Sequence, residues 1–204
     1  MNFDPTVFVI DDDPAVRSGL RFLLESVRMN VQTFASAEQF LQTYNIHMIG
    51  CAILDIRMPG MSGLQLQQKL IRQPHCLPII FITGHGDVPL AVRAMQNGAI
   101  HFLEKPLDDQ LLLDVINTAL EQDKANQQKR LKLITVQARI SNLTEREHQV
   151  YKLVVERIPS KQIADMLNIS LKTVEYHRAR MMEKMHAESI LDLLEMVREL
   201  PDKN

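Results

Sequence analysis

Four short apolar runs punctuate the first half of the chain: Val7-Phe8-Val9-Ile10, Cys51-Ala52-Ile53-Leu54, Pro78-Ile79-Ile80-Phe81-Ile82 and Ile100-His101-Phe102-Leu103. Their length and near-continuous apolarity predict strands buried on both faces, the pattern of a parallel sheet. Helical spacing fills the intervals, in Val16/Leu20/Leu23/Leu24/Val27, in Phe40-Leu41 behind a Ser36-x-x-Gln39 capping box, in Leu64/Leu66/Leu70 and in Val88/Val92/Met95. Strand–helix alternation, five times over, predicts an α/β domain with a doubly wound, five-stranded parallel sheet and helices on both faces.

Open sheets of this kind bind ligands beyond the carboxyl ends of their strands, and the runs end in reactive side chains there. Asp11-Asp12-Asp13 follows the first, Asp55 the second, Thr83 the third and Glu104-Lys105-Pro106 the fourth. Carboxylates so close repel one another unless a cation joins them, and Mg²⁺, a hard ion satisfied by carboxylates and water, is the simplest remedy. A carboxylate, a hydroxyl and an ammonium together suit formation of an acyl phosphate, with Asp55 as nucleophile, Lys105 neutralising phosphoryl charge and Thr83 donating to a phosphoryl oxygen. Asp13, just before Pro14, reads instead as a helix N-cap with proline at N1. Glycines in Arg57-Met58-Pro59-Gly60-Met61-Ser62-Gly63 and Thr83-Gly84-His85-Gly86-Asp87 allow close backbone approach to a ligand. The second stretch lacks the lysine and spacing of a Walker motif, and His85 reads as a loop residue, not a metal ligand.

Asp11-Asp12, Asp55, Thr83 and Lys105-Pro106, in that order, resemble the CheY-like receiver domain of two-component response regulators. The resemblance implies that Asp55 accepts phosphate from a sensor histidine kinase. It also implies that Asp12 and Asp55 bind Mg²⁺ with the backbone carbonyl of Arg57, that Asp11 assists through water, and that Phe102 changes rotamer as Thr83 moves toward the phosphate.

A length of 204 residues fits one or two domains, and 46% hydrophobic residues with a net charge of −2 set no obstacle to packed cores. The opening Met1-Asn2-Phe3-Asp4 has no basic region before its apolar strand, and no run approaches membrane-spanning length, so a cytoplasmic protein without a signal peptide is expected. Cys51 and Cys76 form no CxxC pair and read as reduced, ordinary thiols.

Leu111, Leu112, Val115, Ile116 and Leu120 continue helical spacing into a Gln- and Lys-rich run without Gly or Pro. This reads as an exposed helical linker over residues 121–140, between a domain at 1–120 and another at 141–204. Leu131, Ile134 and Val136 suggest a small apolar seam on it, either a solvated spacer or a helix pairing between protomers.

The second domain opens with a Thr144-x-x-Glu147 capping box. Helical patterns follow in Val150/Leu153/Val154, Ile163/Ala164/Leu167 and Leu171/Val174/Met181/Met185, the last two separated by Asn168-Ile169-Ser170. That break predicts an all-α helix-turn-helix. At about 100° per residue, Leu171, Val174, Met181, Met182 and Met185 share one face. Lys172, Thr173, Tyr176, Arg180 and Glu183 face away, and Glu175 and Ala179 flank them. Arg178 falls inside the apolar stripe, where a charge needs a partner: either Glu147 across the helix interface supplies it, or Arg178 snorkels out to solvent or turns to DNA phosphate.

Leu143-Thr144-x-x-Glu147, Ile163-Ala164 and Lys172-Thr173-Val174-Glu175-x-His177-Arg178 resemble the LuxR/NarL-type helix-turn-helix, and the whole chain resembles a FixJ-type response regulator. The family implies base contacts from Glu175, Tyr176 and Ala179, with Lys161, Thr173, His177, Arg178 and Arg180 nearer the DNA backbone and Lys172 also in the DNA-binding set; the wheel favours Arg180 over Ala179 as an edge reader. It further implies a homodimer on phosphorylation through Val88, Val92 and Met95, promoter DNA and RNA polymerase as partners, and no enzymatic role beyond the chain's own phosphotransfer and slow dephosphorylation. The final Leu191-Leu194-Val197 helix resembles a dimerisation helix. Two other readings stay open: a Mg²⁺-dependent phosphotransferase or phosphatase acting on a small substrate, which leaves the second domain idle, and a C-terminal bundle that docks protein or RNA.

Overall fold

The computed structural model describes residues 4–45, 47–73, 75–84, 88–198 and 200. Met1-Asn2-Phe3, Pro74, His85-Gly86-Asp87 and Pro201 lie outside them, and with them the loop reading of His85.

The first compact unit, Met1–Gln127, alternates strand and helix as β1 (Thr6–Ile10), α1 (Pro14–Ser26), β2 (Asn30–Phe34), α2 (Ala37–Thr43), β3 (Gly50–Asp55), α3 (Gly63–Ile71), β4 (Ile79–Thr83), α4 (Val88–Gln96), β5 (His101–Glu104) and the start of α5 (Asp109–Ser141). The strands pair in parallel in the order β2-β1-β3-β4-β5. Side chains alternate across the sheet. Phe8, Ile10, Ala52, Leu54, Ile79 and Phe81 enter one core with residues of α2, α3 and α4, while Val7, Val9, Cys51, Ile53, Ile80 and Ile82 enter the other with α1 and α5. Each such large side chain contributes about 1.5–3 kcal/mol by leaving water.

β2, Asn-Val-Gln-Thr-Phe, escapes a search for apolar runs. It is an edge strand in which only Phe34 is buried, so its sequence need not be continuously apolar. Asp13 caps α1 by accepting the Ala15 N–H at 2.8 Å, with Pro14 at N1, as the sequence predicts. The box expected at Ser36 is half formed: Ser36 Oγ accepts the Gln39 N–H, but Gln39 Oε1 accepts from Ala35 instead of Ser36. A full reciprocal box forms one helix later, between Ser62 and Gln65 at the start of α3.

The second unit, Gln128–Asn204, contains the end of α5 and then α6 (Glu145–Val155), α7 (Ser160–Leu167), α8 (Leu171–Met185) and α9 (Ile190–Val197). Its core gathers Val136, Val150, Val154, Ile163, Val174, Met181, Met185 and Leu193. The helix reading of residues 121–140 matches α5, but not all of that stretch is exposed. Asp123 is fully buried in the first unit, and Val136 is buried in the second, while Leu131 and Ile134 face solvent. Among the described residues no helix is long and apolar enough to cross a membrane.

Candidate functional site

Strand order places the site. β1 and β3 are neighbours whose last paired residues are Ile10 and Leu54, so Asp11 and Asp55 leave the sheet side by side. This is also where connections diverge to opposite edges, the switch point at which such sheets open a crevice. β4 and β5 bring Thr83 opposite Glu104, and the Lys105 N–H donates to the Thr83 carbonyl at 2.7 Å.

Lys105 completes the constellation. Its Nζ lies 2.7 Å from Asp11 Oδ2 and 3.2 Å from Asp55 Oδ1, joining the two carboxylates. The other oxygens are engaged as well, Asp11 Oδ1 by the Asp13 N–H at 2.8 Å and Asp55 Oδ2 by the Arg57 N–H at 2.7 Å. Arg17 donates to the Asp11 carbonyl at 2.7 Å, a contact that no sequence motif signals.

Asp11, Asp55 and Thr83 are buried, whereas Asp12 is exposed at the rim. Burial pushes the Asp55 carboxyl above its usual range. The charge and hydrogen bond of Lys105 oppose that shift, the nearby Asp11 carboxylate adds to it, and the Arg57 N–H offsets part. For Lys105 burial works downward, but bonding to Asp11 and the charges of both carboxylates outweigh it and hold the ammonium above its usual range. The result is an ammonium held in its charged form beside a carboxylate of raised basicity, an arrangement that can attract an anionic group and present a nucleophile to it.

Among the described residues no three His, Cys, Asp or Glu side chains form a ready-made metal cluster. The donors at hand are oxygens of Asp11, Asp55, the outlying Asp12 and the backbone, which fit a hard divalent cation and not a thiolate- or imidazole-seeking one. Gly63 has a different role from the ligand approach expected of it. A Cβ there would stand 2.2 Å from the Asp55 carbonyl oxygen, so its bare backbone lets α3 begin against the strand that carries Asp55. Among the described residues beyond its chain neighbours, Gly84 has no heavy atom within 4 Å of such a Cβ.

Phe102 is partly buried and packs against the core shared with α2, α3 and α4. Val88, Val92 and Met95 line one side of α4 and are exposed, at 73%, 47% and 45%; the buried residue of that helix is Ala94. Their periodicity therefore marks an apolar surface, not the core face.

In the second unit, Asn168 adopts the left-handed conformation that ends α7, and Ser170 Oγ accepts the Thr173 N–H at 3.1 Å to start α8. Lys161, Lys172, Glu175, Tyr176, Ala179 and Arg180 are exposed, and Thr173, His177 and Arg178 partly so. Arg180 pairs with Glu183 at 2.7 Å, Thr173 Oγ1 lies 2.8 Å from Ser170 Oγ, and the Tyr176 and His177 rings meet edge-on. Leu171, assigned to the apolar face by the wheel, is exposed, while Val174 one turn on is buried in the core.

The expected Arg178–Glu147 pair does not form. Arg178 donates to Ser160 Oγ at 2.8 Å, at the start of α7, while Glu147 Oε2 receives Lys184 at 2.6 Å and the Thr144 N–H at 2.8 Å. The capping box curls Glu147 back over the start of α6, and it is the C-terminal end of α8, carrying Lys184, that lies beside it. Lys184 was legible only as a basic residue in a last helical turn.

Residues 7–117 match the response regulator receiver domain, and residues 141–197 match the bacterial regulatory proteins of the luxR family. Nodulation protein W of Bradyrhizobium diazoefficiens is 42% identical over 93% of this chain and 84% of its own length. The transcriptional regulatory protein FixJ of the same organism is 40% identical over 93% of each. Among solved structures, the response regulator StyR is 44% identical over 97% of this chain and 100% of that one, with a TM-score of 0.84. Full-length FixJ from B. japonicum is 38% identical over 97% of both chains, with a TM-score of 0.59. With a receiver carrying the Asp11–Lys105–Asp55 constellation and a helix-turn-helix unit behind it, this chain belongs to the two-component response regulators with a LuxR-type DNA-binding domain, and it is a transcriptional regulator.

Proposed function

We propose that Asp55 is the phosphoryl acceptor of this regulator, that a sensor histidine kinase is the donor, and that the phosphorylated chain binds promoter DNA as a dimer. The observation that carries the reading is the Lys105 ammonium bridging Asp11 and Asp55. An Asp55 carboxylate oxygen attacks the phosphorus of a phosphohistidine, an acyl phosphate P–O bond forms, and the P–N bond breaks with its electron pair returning to the imidazole. Lys105 neutralises charge on the transferring group, and the Thr83 hydroxyl donates to one of its oxygens. Asp12, Asp55 and the Arg57 carbonyl would hold Mg²⁺, with Asp11 assisting through water. Bound there, the ion supplies charge neutralisation to the phosphoryl oxygens.

Movement of Thr83 and Phe102 toward the phosphate then alters the α4 surface, where Val88, Val92 and Met95 offer an apolar patch for a second receiver. Two copies of α8 reach half-sites about one helical turn apart, with Lys161, Lys172, Thr173, Glu175, Tyr176, His177, Arg178, Ala179 and Arg180 as the DNA-facing set. The reading places the protein in the cytoplasm with RNA polymerase downstream, and limits its catalysis to its own phosphotransfer and slow dephosphorylation.

The test is gel filtration and selection from a pool of random duplexes, with and without beryllofluoride and Mg²⁺. Dimerisation and enrichment of a repeated site only with the phosphoryl mimic are expected, and Asp55→Asn should abolish both responses. A response undiminished in Asp55→Asn rules out Asp55 as acceptor.

A further inference from the structure

The C-terminal end of the recognition helix α8 carries a contact that lies outside the matched luxR-family region. Arg139 Nη1 donates to the Met185 carbonyl at 3.0 Å. Arg139 belongs to the last turn of α5, two residues before the family match begins at residue 141.

The local chemistry explains why an arginine is useful there. α8 ends with His186 in the left-handed conformation; the His186 N–H bonds back to the Glu183 carbonyl and the Ala187 N–H to the Met182 carbonyl. The Met185 carbonyl lies beyond that closure and needs another donor, and a cation is favoured at the negative end of a helix dipole. The same stretch of α5 is anchored beside this contact. Val136, one turn before Arg139, is buried in the core with Met185, and the Asn142 carbonyl receives Lys184 of α8 at 3.4 Å.

We infer that Arg139 is a positioning residue for DNA recognition: by capping the Met185 carbonyl it fixes the C-terminal end of α8, and so the angle at which Tyr176, Ala179 and Arg180 are presented. It acts through the helix and does not itself touch DNA. The inference rests on the DNA-binding reading of α8.

Its test uses the full chain activated with beryllofluoride and Mg²⁺, a duplex selected from a random pool by the wild type, and an unrelated duplex of equal length. Arg139→Met removes the donor, and Arg139→Gln restores a neutral one. Arg139→Met should weaken binding to the selected duplex about fivefold, the scale of one lost hydrogen bond. Binding to the unrelated duplex and the salt dependence of affinity should stay unchanged, and Arg139→Gln should recover most of the loss. If both variants lower the slope of log affinity against log salt by about 1, Arg139 is a phosphate contact and the positioning role is wrong. Wild-type affinity in Arg139→Met also overturns it. Should Arg139→Met not fold, Arg139→Gln against the wild type decides, since a neutral residue that keeps the cap must lower the slope if the charge meets phosphate. Failure of the wild type to select any duplex would overturn the DNA reading itself.

Discussion

The carboxylate of Asp123 accepts the N–H of Gly50 at 2.9 Å, so a residue late in the first unit's long helix closes the first hydrogen bond of the strand that ends in Asp55. Gly50 has φ +138°, and a Cβ there would lie 1.8 Å from the Thr6 carbonyl oxygen, so no larger residue fits. Asp123 is fully buried, with His75 Nε2 at 3.4 Å from its other oxygen. That nitrogen also lies 3.2 Å from the Met48 carbonyl, an acceptor that fits a proton on Nε2.

Asp123→Ala should leave the Gly50 N–H buried and unpaired, at a cost of about 1–3 kcal/mol. Asp123→Asn keeps an acceptor and should lose less. Urea unfolding of the full chain, with hydrogen exchange read at the Gly50 amide, measures both. Wild-type protection of that amide in Asp123→Ala would show that the bond contributes nothing.

The cysteines should be inert in the native protein. Burial, with the Asp123 charge second, pushes the Cys51 thiol up to about 12 and the Cys76 thiol up to about 11. Against an ordinary thiol near 8.5, the reactive thiolate is scarce at neutral pH. Alkylation followed by mass spectrometry should therefore give negligible native labelling at pH 7.5 and full labelling in denaturant. Native labelling at the rate of a free thiol would refute the assignment for whichever cysteine shows it.

Glu147 should make the second unit acid-sensitive. Burial acts against its carboxylate, but hydrogen bonds from Lys184 and Thr144 and the Lys184 charge outweigh it and hold the pKa below the usual value. A depressed folded-state pKa means stability that is complete above the unfolded value, about 4.3, and lost as pH falls through the folded one. The stability gap between wild type and Glu147→Gln should be constant from pH 7 to 5 and shrink in more acid solution. A double-mutant cycle should give a coupling of about 0.5–3 kcal/mol for Glu147 with Lys184 and none for Glu147 with Arg178. A gap that widens on acidification is the opposite sign and would discard the ion pair as its source.

What was legible in the sequence follows from how far each signal reaches. Apolar runs ending in Asp11, Asp55, Thr83 and Lys105 report burial and strand direction, which suffice to bring these residues to one edge of the sheet. β2 was hidden because an edge strand need not be apolar throughout, and Asp123 because a buried carboxylate in a polar helix looks like its solvated neighbours. The Glu147 pairing failed for another reason. A helical wheel locates Arg178 around the helix axis but not along it, and whether Glu147 meets residue 178 or 184 depends on where α6 crosses α8. Exposure of Val88, Val92 and Met95 was likewise beyond periodicity, which finds an apolar stripe but not what covers it.

Two glycines read alike in the sequence should separate sharply on substitution. Gly63 stands where a Cβ would fall 2.2 Å from the Asp55 carbonyl oxygen and 3.1 Å from Leu54 Cγ, whereas Gly84 has nothing within 4 Å among the described residues beyond its chain neighbours. Backbone cannot yield as a flexible side chain does, so Gly63→Ala must displace either the start of α3 or the end of β3. The overpacking should cost about 1–3 kcal/mol, and movement at Asp55 should weaken the response to beryllofluoride. Gly84→Ala should stay within about 0.5 kcal/mol of wild type and leave that response intact. Thermal unfolding and gel filtration with the phosphoryl mimic measure the two effects. Equal behaviour of the two variants would mean that the close approach at Gly63 relaxes without disturbing Asp55, and that the turn after β3 is not what holds the carboxylate in place.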